Sequence, residues 1–301
     1  MTGARHVWVE GRVLPADAMH LSAFDRGFQL GDGIFETLRV RADRPTELAE
    51  HLARLRRSAD GLGIALPGGL DAMIAGGIAD LLAAEDLDGP TGDASIRITV
   101  SRGAFHGRGL LPPDEAVTAT IAIQAWPVVA PAADHLARGL HLVASSVRRD
   151  PSNPLATLKT TSRADYVYAR LEARRAGADD ALFLTVDDRL SEGTTANIFL
   201  VRHGIDGVEE LATPSLDCAI LPGTTRSWLL DWASRVGLRP VEAHLTVDAL
   251  AAADEAFLCS SVAGILPVTR FAGAPIGDGV PGPWTRRARA DREAMIRGDA
   301  G

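Results

Sequence analysis

Two apolar periods alternate along residues 1–125, and they restrict the fold more than any other feature of the chain. Leu48, Leu52, Leu55, Ala59 and Leu62 recur at the spacing that lines one face of a helix. Residues 95–101 and 117–125 alternate every second position instead, as half-buried strands do. Residues 6–10 open the chain as a strand, with a turn at Gly11 and Val13 beyond it. Residues 30–40 start in a Gly-rich turn and end as a strand through Ile34, Phe35, Leu38 and Val40, and 71–87 reads as a second helix. Strands and helices follow one another without regular βαβ units, so the expectation is an α+β architecture.

Residues 126–133 break both periods with Trp126, Pro127 and Pro131. This divides the chain into a small α+β domain over 1–125, a linker over 126–138 and a larger domain over 139–301. The larger domain is expected to hold strands at 140–146, 181–185, 197–201 and 255–259, with helices at 163–176 and 225–236. Residues 297–301 are expected to fray.

A chain of 301 residues with 46% hydrophobic content can bury a sizeable core. Net charge is −8 and no Lys/Arg block stands out, which argues against a nucleic-acid partner. Charges interrupt every apolar stretch well before the roughly 20 residues of a membrane span. Arg5, His6 and Glu10 leave no apolar core for a signal peptide in residues 1–10. Cys218 and Cys259 lie far apart and form no CxxC, so a reduced cytoplasmic protein is expected.

Lys159 is the only lysine among 31 Lys and Arg residues. Arginine replaces lysine as a surface cation, but its guanidinium does not readily lose a proton to become a nucleophile. A lysine does so once desolvated, and then forms Schiff bases. Leu155, Leu158, Thr160 and Thr161 around it suit a strand end or a turn. A lysine that merely survived compositional drift has the same appearance.

Four further blocks carry candidate chemistry. Glu192 precedes Gly193 and leads through Asn197 into the apolar strand Ile198-Phe199-Leu200-Val201, which could aim a carboxylate into a cleft. Leu221-Pro222-Gly223-Thr224-Thr225-Arg226 is a Gly turn feeding a helix, a geometry that leaves N–H groups free for phosphate. Cys259-Ser260-Ser261-Val262-Ala263-Gly264 ends a strand with small residues that admit close backbone approach to a ligand. His51-Leu52-Ala53-Arg54-Leu55 sets Arg54 beside an apolar helix face, from which it could reach a phosphate. Each block singly also reads as ordinary structure: a turn, a capped helix, a polar turn or a solvated arginine.

Their order is more specific. Gly31-Asp32-Gly33-Ile34-Phe35-Glu36-Thr37, His51-x-x-Arg54-Leu55, Lys159, Glu192-Gly193-x-x-x-Asn197, Leu221-Pro222-Gly223-x-Thr225-Arg226 and Ser260-Ser261 follow one another along the chain. The series resembles the class IV aminotransferases, the fold-type IV enzymes of pyridoxal 5'-phosphate (PLP). The resemblance implies a small α+β domain and a larger β-barrel-like domain with helices, the cofactor between them, and a homodimer. It implies that Lys159 bonds covalently to PLP and shuttles the proton, and that Glu192 contacts the pyridine nitrogen. It implies that Arg54, Thr225, Ser261 and the backbone of Thr224 bind the phosphate, with Gly223 and Ser260 beside them, and that Leu221 packs on the ring. Branched-chain members carry a Tyr five residues after the lysine; here that position is Ala164, with Arg163 and Tyr166 nearby.

For the substrate, the candidates are Phe35, Thr37, Arg102, His106, Arg108, Val262 and Ala263. Thr37 replaces the Gly of branched-chain members and resembles aminodeoxychorismate lyases. Ser101-Arg102-Gly103 with Gly107-Arg108-Gly109 is similar to a segment of those lyases, while an Arg and a His in this loop hold the substrate carboxylate in D-amino-acid transaminases. The favoured expectation is a transaminase moving an amino group between a D-amino acid or (R)-amine and a 2-oxo acid. The alternatives are a 4-amino-4-deoxychorismate lyase, releasing aminobenzoate and pyruvate, and a branched-chain L-amino-acid aminotransferase. No metal is expected.

Overall fold

The computed structural model describes residues 3–112 and 117–299, and the chain divides into two compact units. The expected fraying of Ala300 and Gly301 lies outside the described residues.

The first unit comprises 1–129 with 158–163. Its strands are β1 (His6–Val9), β2 (Arg12–Pro15), β3 (Gly33–Arg41), β4 (Arg44–Pro45), β5 (Asp93–Ser101) and β6 (Thr120–Pro127). They form one antiparallel sheet in the order β2-β1-β6-β5-β3-β4. Its helices are α1 (Arg26–Leu30), α2 (Leu48–Leu62) and α3 (Leu70–Ala84). Alternation decides what is buried. Ile96, Ile98 and Val100 of β5 join Ile34, Leu38 and Val40 of β3 in the core, and Leu52, Leu55 and Ala59 of α2 pack with them. α3 adds Leu70, Ile74, Ile78 and Leu81 at helical spacing.

The second unit comprises 130–157 with 164–301. Its strands are β7 (Leu140–Arg149), β8 (Asp180–Thr185), β9 (Leu190–Gly193), β10 (Asn197–His203), β11 (Glu209–Pro214), β12 (Arg239–Ala243), β13 (Glu255–Ser260), β14 (Gly264–Phe271) and β15 (Ala274–Pro275). The helices are α4 (Ala133–Arg138), α5 (Ala164–Arg175), α6 (Thr224–Val236), α7 (Val247–Ala251) and α8 (Pro283–Arg297). The sheet runs β12-β11-β10-β13-β14-β7-β8-β9, with β15 on β14. It is mixed: β7 lies parallel to β8 and β14, and β11 parallel to β12. Gly193 N donates to Ala196 O at 2.8 Å, turning β9 straight into β10 as the sheet curls. Continuous apolar runs fit strands buried on both faces. Ile198 and Leu200 enter one core with Leu258, while Phe199 and Val201 enter another with Phe257, Leu229 and Trp232. The Phe199 and Phe257 rings stack with centroids 5.5 Å apart.

Three expectations need correction. Trp126 and Pro127 complete β6 and residues 133–138 form α4, so only the stretch between them lies outside regular structure. The segment bearing Lys159 groups with the first unit, where Thr160 forms an antiparallel bridge to Ile34 of β3. β9, β11, β12, β14 and α8 are additional to the expected elements. Both cysteines are buried and free, and no helix among the described residues is long and apolar enough to cross a membrane.

Candidate active site

In the first unit, β3 turns Glu36 and Phe35 to opposite faces. Glu36 shares the face of Ile34 and Leu38 and is 0% exposed. A carboxylate there is costly unless paired. α2 supplies two partners one turn apart, His51 and Arg54. Arg54 Nε and Nη2 donate to the two Glu36 oxygens at 2.8 and 2.6 Å. His51 Nδ1 lies 2.7 Å from Oε2. Burial pushes the Glu36 carboxyl up, but the Arg54 and His51 hydrogen bonds outweigh it, and with the Lys159 charge they hold it at about 2. Whatever else Arg54 binds is therefore oriented by Glu36.

Phe35 faces the other way, with Thr37 and their register partners Thr99 and Arg97. Lys159 Nζ lies 4.7 Å from the Phe35 ring centroid, Arg97 Cζ 3.9 Å and Arg163 Cζ 5.7 Å. The backbone fixes the lysine. Phe35 N donates to Lys159 O at 2.9 Å and Thr161 N to Gly33 O at 2.8 Å. Lys159 N donates to Ser58 Oγ at 3.1 Å. Gly31 carries φ +66°, and a Cβ there would lie 2.5 Å from Ser162 Oγ, so glycine admits this segment. Arg97 is held below the usual arginine range, first by burial and then by the charge of Arg163. Its Nε donates to Thr99 Oγ1 at 3.2 Å.

The loop expected to anchor a substrate carboxylate is arranged differently. Arg102 donates to Asp32 at 2.7 and 3.0 Å and to the Gly63 and Leu62 carbonyls, both at 2.7 Å. Arg26 Nε donates to the same Asp32 at 2.8 Å. Asp32 thus ties two arginines, and its carboxyl sits below the usual range because their hydrogen bonds outweigh burial. Arg102 serves the loop's own structure. His106 is exposed against Phe24, with ring centroids 4.6 Å apart, and Arg108 is exposed.

In the second unit, Glu192 on β9 is 5% exposed. Its Oε2 accepts from Leu221 N at 3.0 Å and Asn197 Nδ2 at 3.5 Å. Its Oε1 accepts from Tyr166 Oη at 3.3 Å and lies 3.8 Å from Arg149 Nη2. Arg149 also donates to the Ala156 and Ala219 carbonyls. Sequence reasoning misses Arg149; nothing local separates it from Arg148, which pairs with Asp188 on the surface. α6 begins at Thr224 behind Gly223, an extended N-cap without a side-chain cap. Thr224 Oγ1 and Ser261 Oγ are 3.2 Å apart. Ser260 ends β13 and pairs with Gly264, with Ser261, Val262 and Ala263 in the turn between. Arg226 departs from its motif neighbours and donates to Glu242 and the Pro214 carbonyl.

Gly223 is tightly fitted: a Cβ would lie 2.2 Å from Asn197 Oδ1. Asn197 Nδ2 also donates to Leu221 O at 3.0 Å, so one residue ties the turn to Glu192. Gly223→Ala is expected to lower unfolding free energy by roughly 1–3 kcal/mol, the usual cost of overpacking, as measured by urea unfolding.

The family model described as amino-transferase class IV matches residues 33–271. A D-alanine aminotransferase of Bacillus licheniformis is 28% identical over 296 residues, covering 96% of each chain. An aminodeoxychorismate lyase of Bacillus subtilis (strain 168) is 30% identical over 267 residues, covering 88% of this chain and 86% of that one. The branched-chain amino acid aminotransferase of T.th., solved with pyridoxamine 5'-phosphate, superposes with a TM-score of 0.88 at 26% identity. The match covers 99% of this chain and 96% of that one. With the family model spanning both units, and relatives matching nearly end to end, this chain belongs to the class IV aminotransferase family.

Proposed function

We propose that the protein is a PLP-dependent transaminase whose substrates carry a carboxylate, moving an amino group between an amino acid and a 2-oxo acid. The observation that carries this reading is the convergence of Lys159, Arg97 and Arg163 on the Phe35 ring. A lysine amine and two guanidiniums beside one apolar surface suit an anionic substrate whose amino carbon gives up its proton to the nearby amine. The class IV family is PLP-dependent. When bound, PLP supplies the electron sink that lets a C–H bond at the amino carbon break. The chain's residues fit that cofactor. Lys159 would bond to it and move the proton. Glu192, a buried carboxylate with Arg149 beside it, would pair with the pyridine nitrogen. Thr224, Thr225, Ser261 and Arg54 would take the phosphate, and Leu221 would flank the ring. Tyr166, which donates to Glu192, is the nearest aromatic hydroxyl to that carboxylate.

Thr37 and Ala164 depart from the branched-chain pattern, which favours D-amino acids as donors. The Arg97 arrangement favours acids over simple (R)-amines. Thr37 also favours a second reading, the aminodeoxychorismate lyase, because it shares the Phe35 and Arg97 face. The resemblance supports a homodimer as part of this proposal, and the two free cysteines suit a cytoplasmic protein.

Mixing the PLP-loaded enzyme with single donors separates these readings. D-Alanine is expected to bleach the visible band into the pyridoxamine spectrum, and (R)-phenylethylamine to react at least tenfold more slowly. Inertness to amino acids of both hands, with aminobenzoate and pyruvate released from aminodeoxychorismate, would establish the lyase instead. Reaction with L-leucine and not D-alanine would reverse the assigned handedness.

A further inference from the structure

Arg292 has no part in the chemistry above, yet α8 buries it to 1% exposure. Its Nη2 donates to Thr225 Oγ1 at 3.3 Å, and its Cζ lies 5.1 Å from the Trp228 ring centroid. Thr225 is the second residue of α6 and is 2% exposed. A cation at this end of a helix is placed against the dipole, whose positive pole lies here. Such a placement becomes favourable when an anion shares the site.

The hydroxyl of Thr225 makes the same point from its hydrogen bonds. A threonine hydroxyl has one donor and two acceptor positions. Arg292 occupies an acceptor position, so the O–H points elsewhere, and among the described residues no acceptor meets it. A buried donor left without a partner is costly, and an oxyanion at the α6 N-terminus removes that cost.

We propose that Arg292 is a positioning residue for the cofactor's phosphate dianion. By donating to Thr225 Oγ1 it turns that hydroxyl into a donor towards the phosphate, and it adds a positive charge behind the first turn of α6. The assignment rests on the reading that this turn holds the phosphate of PLP.

The test titrates the apoenzyme with PLP and with pyridoxal, which has the same aldehyde and ring without the phosphate. Arg292→Met is expected to raise the PLP Kd by about 10- to 100-fold, the range for a charge-assisted hydrogen bond. The pyridoxal Kd should change less than about twofold. Arg292→Lys should recover part of the loss, since the charge returns without the fork geometry. Thr225→Val should weaken PLP in the wild-type background and much less beside Arg292→Met, because the two residues act through one hydroxyl. The 31P resonance of bound PLP should shift in Arg292→Lys. Should Arg292→Met not fold, Arg292→Lys, Thr225→Val and their double variant give the same cycle. A wild type that binds PLP and pyridoxal equally overturns the phosphate reading, and this proposal with it. A wild type that prefers PLP, with losses from Arg292 and Thr225 that simply add or that fall equally on pyridoxal, overturns the role of Arg292 alone.

Discussion

Lys159→Ala is expected to abolish the visible band of the PLP-loaded protein and to lower the transamination rate by roughly 10⁴-fold or more, since covalent catalysis and proton transfer are lost together. No other side-chain amine in the sequence can take its place. Lys159→Arg separates charge from chemistry. Arginine keeps a cation near the Phe35 ring, 4.7 Å from which the lysine Nζ sits. It cannot deprotonate to attack an aldehyde. Both variants should therefore fail alike, while their thermal unfolding stays near wild type, because Lys159 is only half-buried and its backbone hydrogen bonds do not depend on the side chain. Stopped-flow absorbance of the half-reaction measures the loss. Near-normal turnover in Lys159→Arg would place the chemistry elsewhere.

Glu36→Gln is expected to be the most destabilising single change in the first unit. It leaves the Arg54 guanidinium, 3% exposed, without its carboxylate between β3 and α2. Breaking one side of a buried ion pair costs about 3–5 kcal/mol. The same pair sets an acid limit. An ordinary glutamate titrates at 4.5, whereas folded Glu36 titrates at about 2. The folded state thus binds fewer protons than the unfolded state between those values, and the stabilisation is complete above pH 4.5. It is lost as pH falls towards 2, and amounts to about 3 kcal/mol. Urea unfolding from pH 7 to pH 3 should show the wild type losing more stability than Glu36→Gln. Parallel curves would remove Glu36 from the acid response.

The elements legible in the sequence are those whose burial follows a simple period. α2 shows Leu48, Leu52, Leu55 and Ala59, and β10 shows Ile198 to Val201 because both of its faces are covered. α8 is hidden because its buried face is Thr285, Ala288, Arg292 and Ile296, which forms no apolar stripe. Pro283 behind Gly282 is the signal that could reveal it. β14 and β12 carry Pro267 and Pro240, which disguise them as turns. In the site, Lys159 stands out by composition and Glu192 by its Gly-flanked motif. Arg102 reads as a substrate anchor only because its partner Asp32 lies 70 positions away, a separation that local spacing does not encode. The reach of Arg54 to Glu36 is likewise invisible: α2 gives the arginine's face, but the carboxylate facing it is set by the pleat of β3.

The most direct test of a cofactor lysine is chemical. The PLP-loaded protein is reduced with borohydride, digested and mapped by mass spectrometry. A phosphopyridoxyl group on the peptide that contains Lys159, and its disappearance in Lys159→Ala, is the predicted result. A protein that stays colourless after incubation with PLP, or a label found on any other residue, would contradict it.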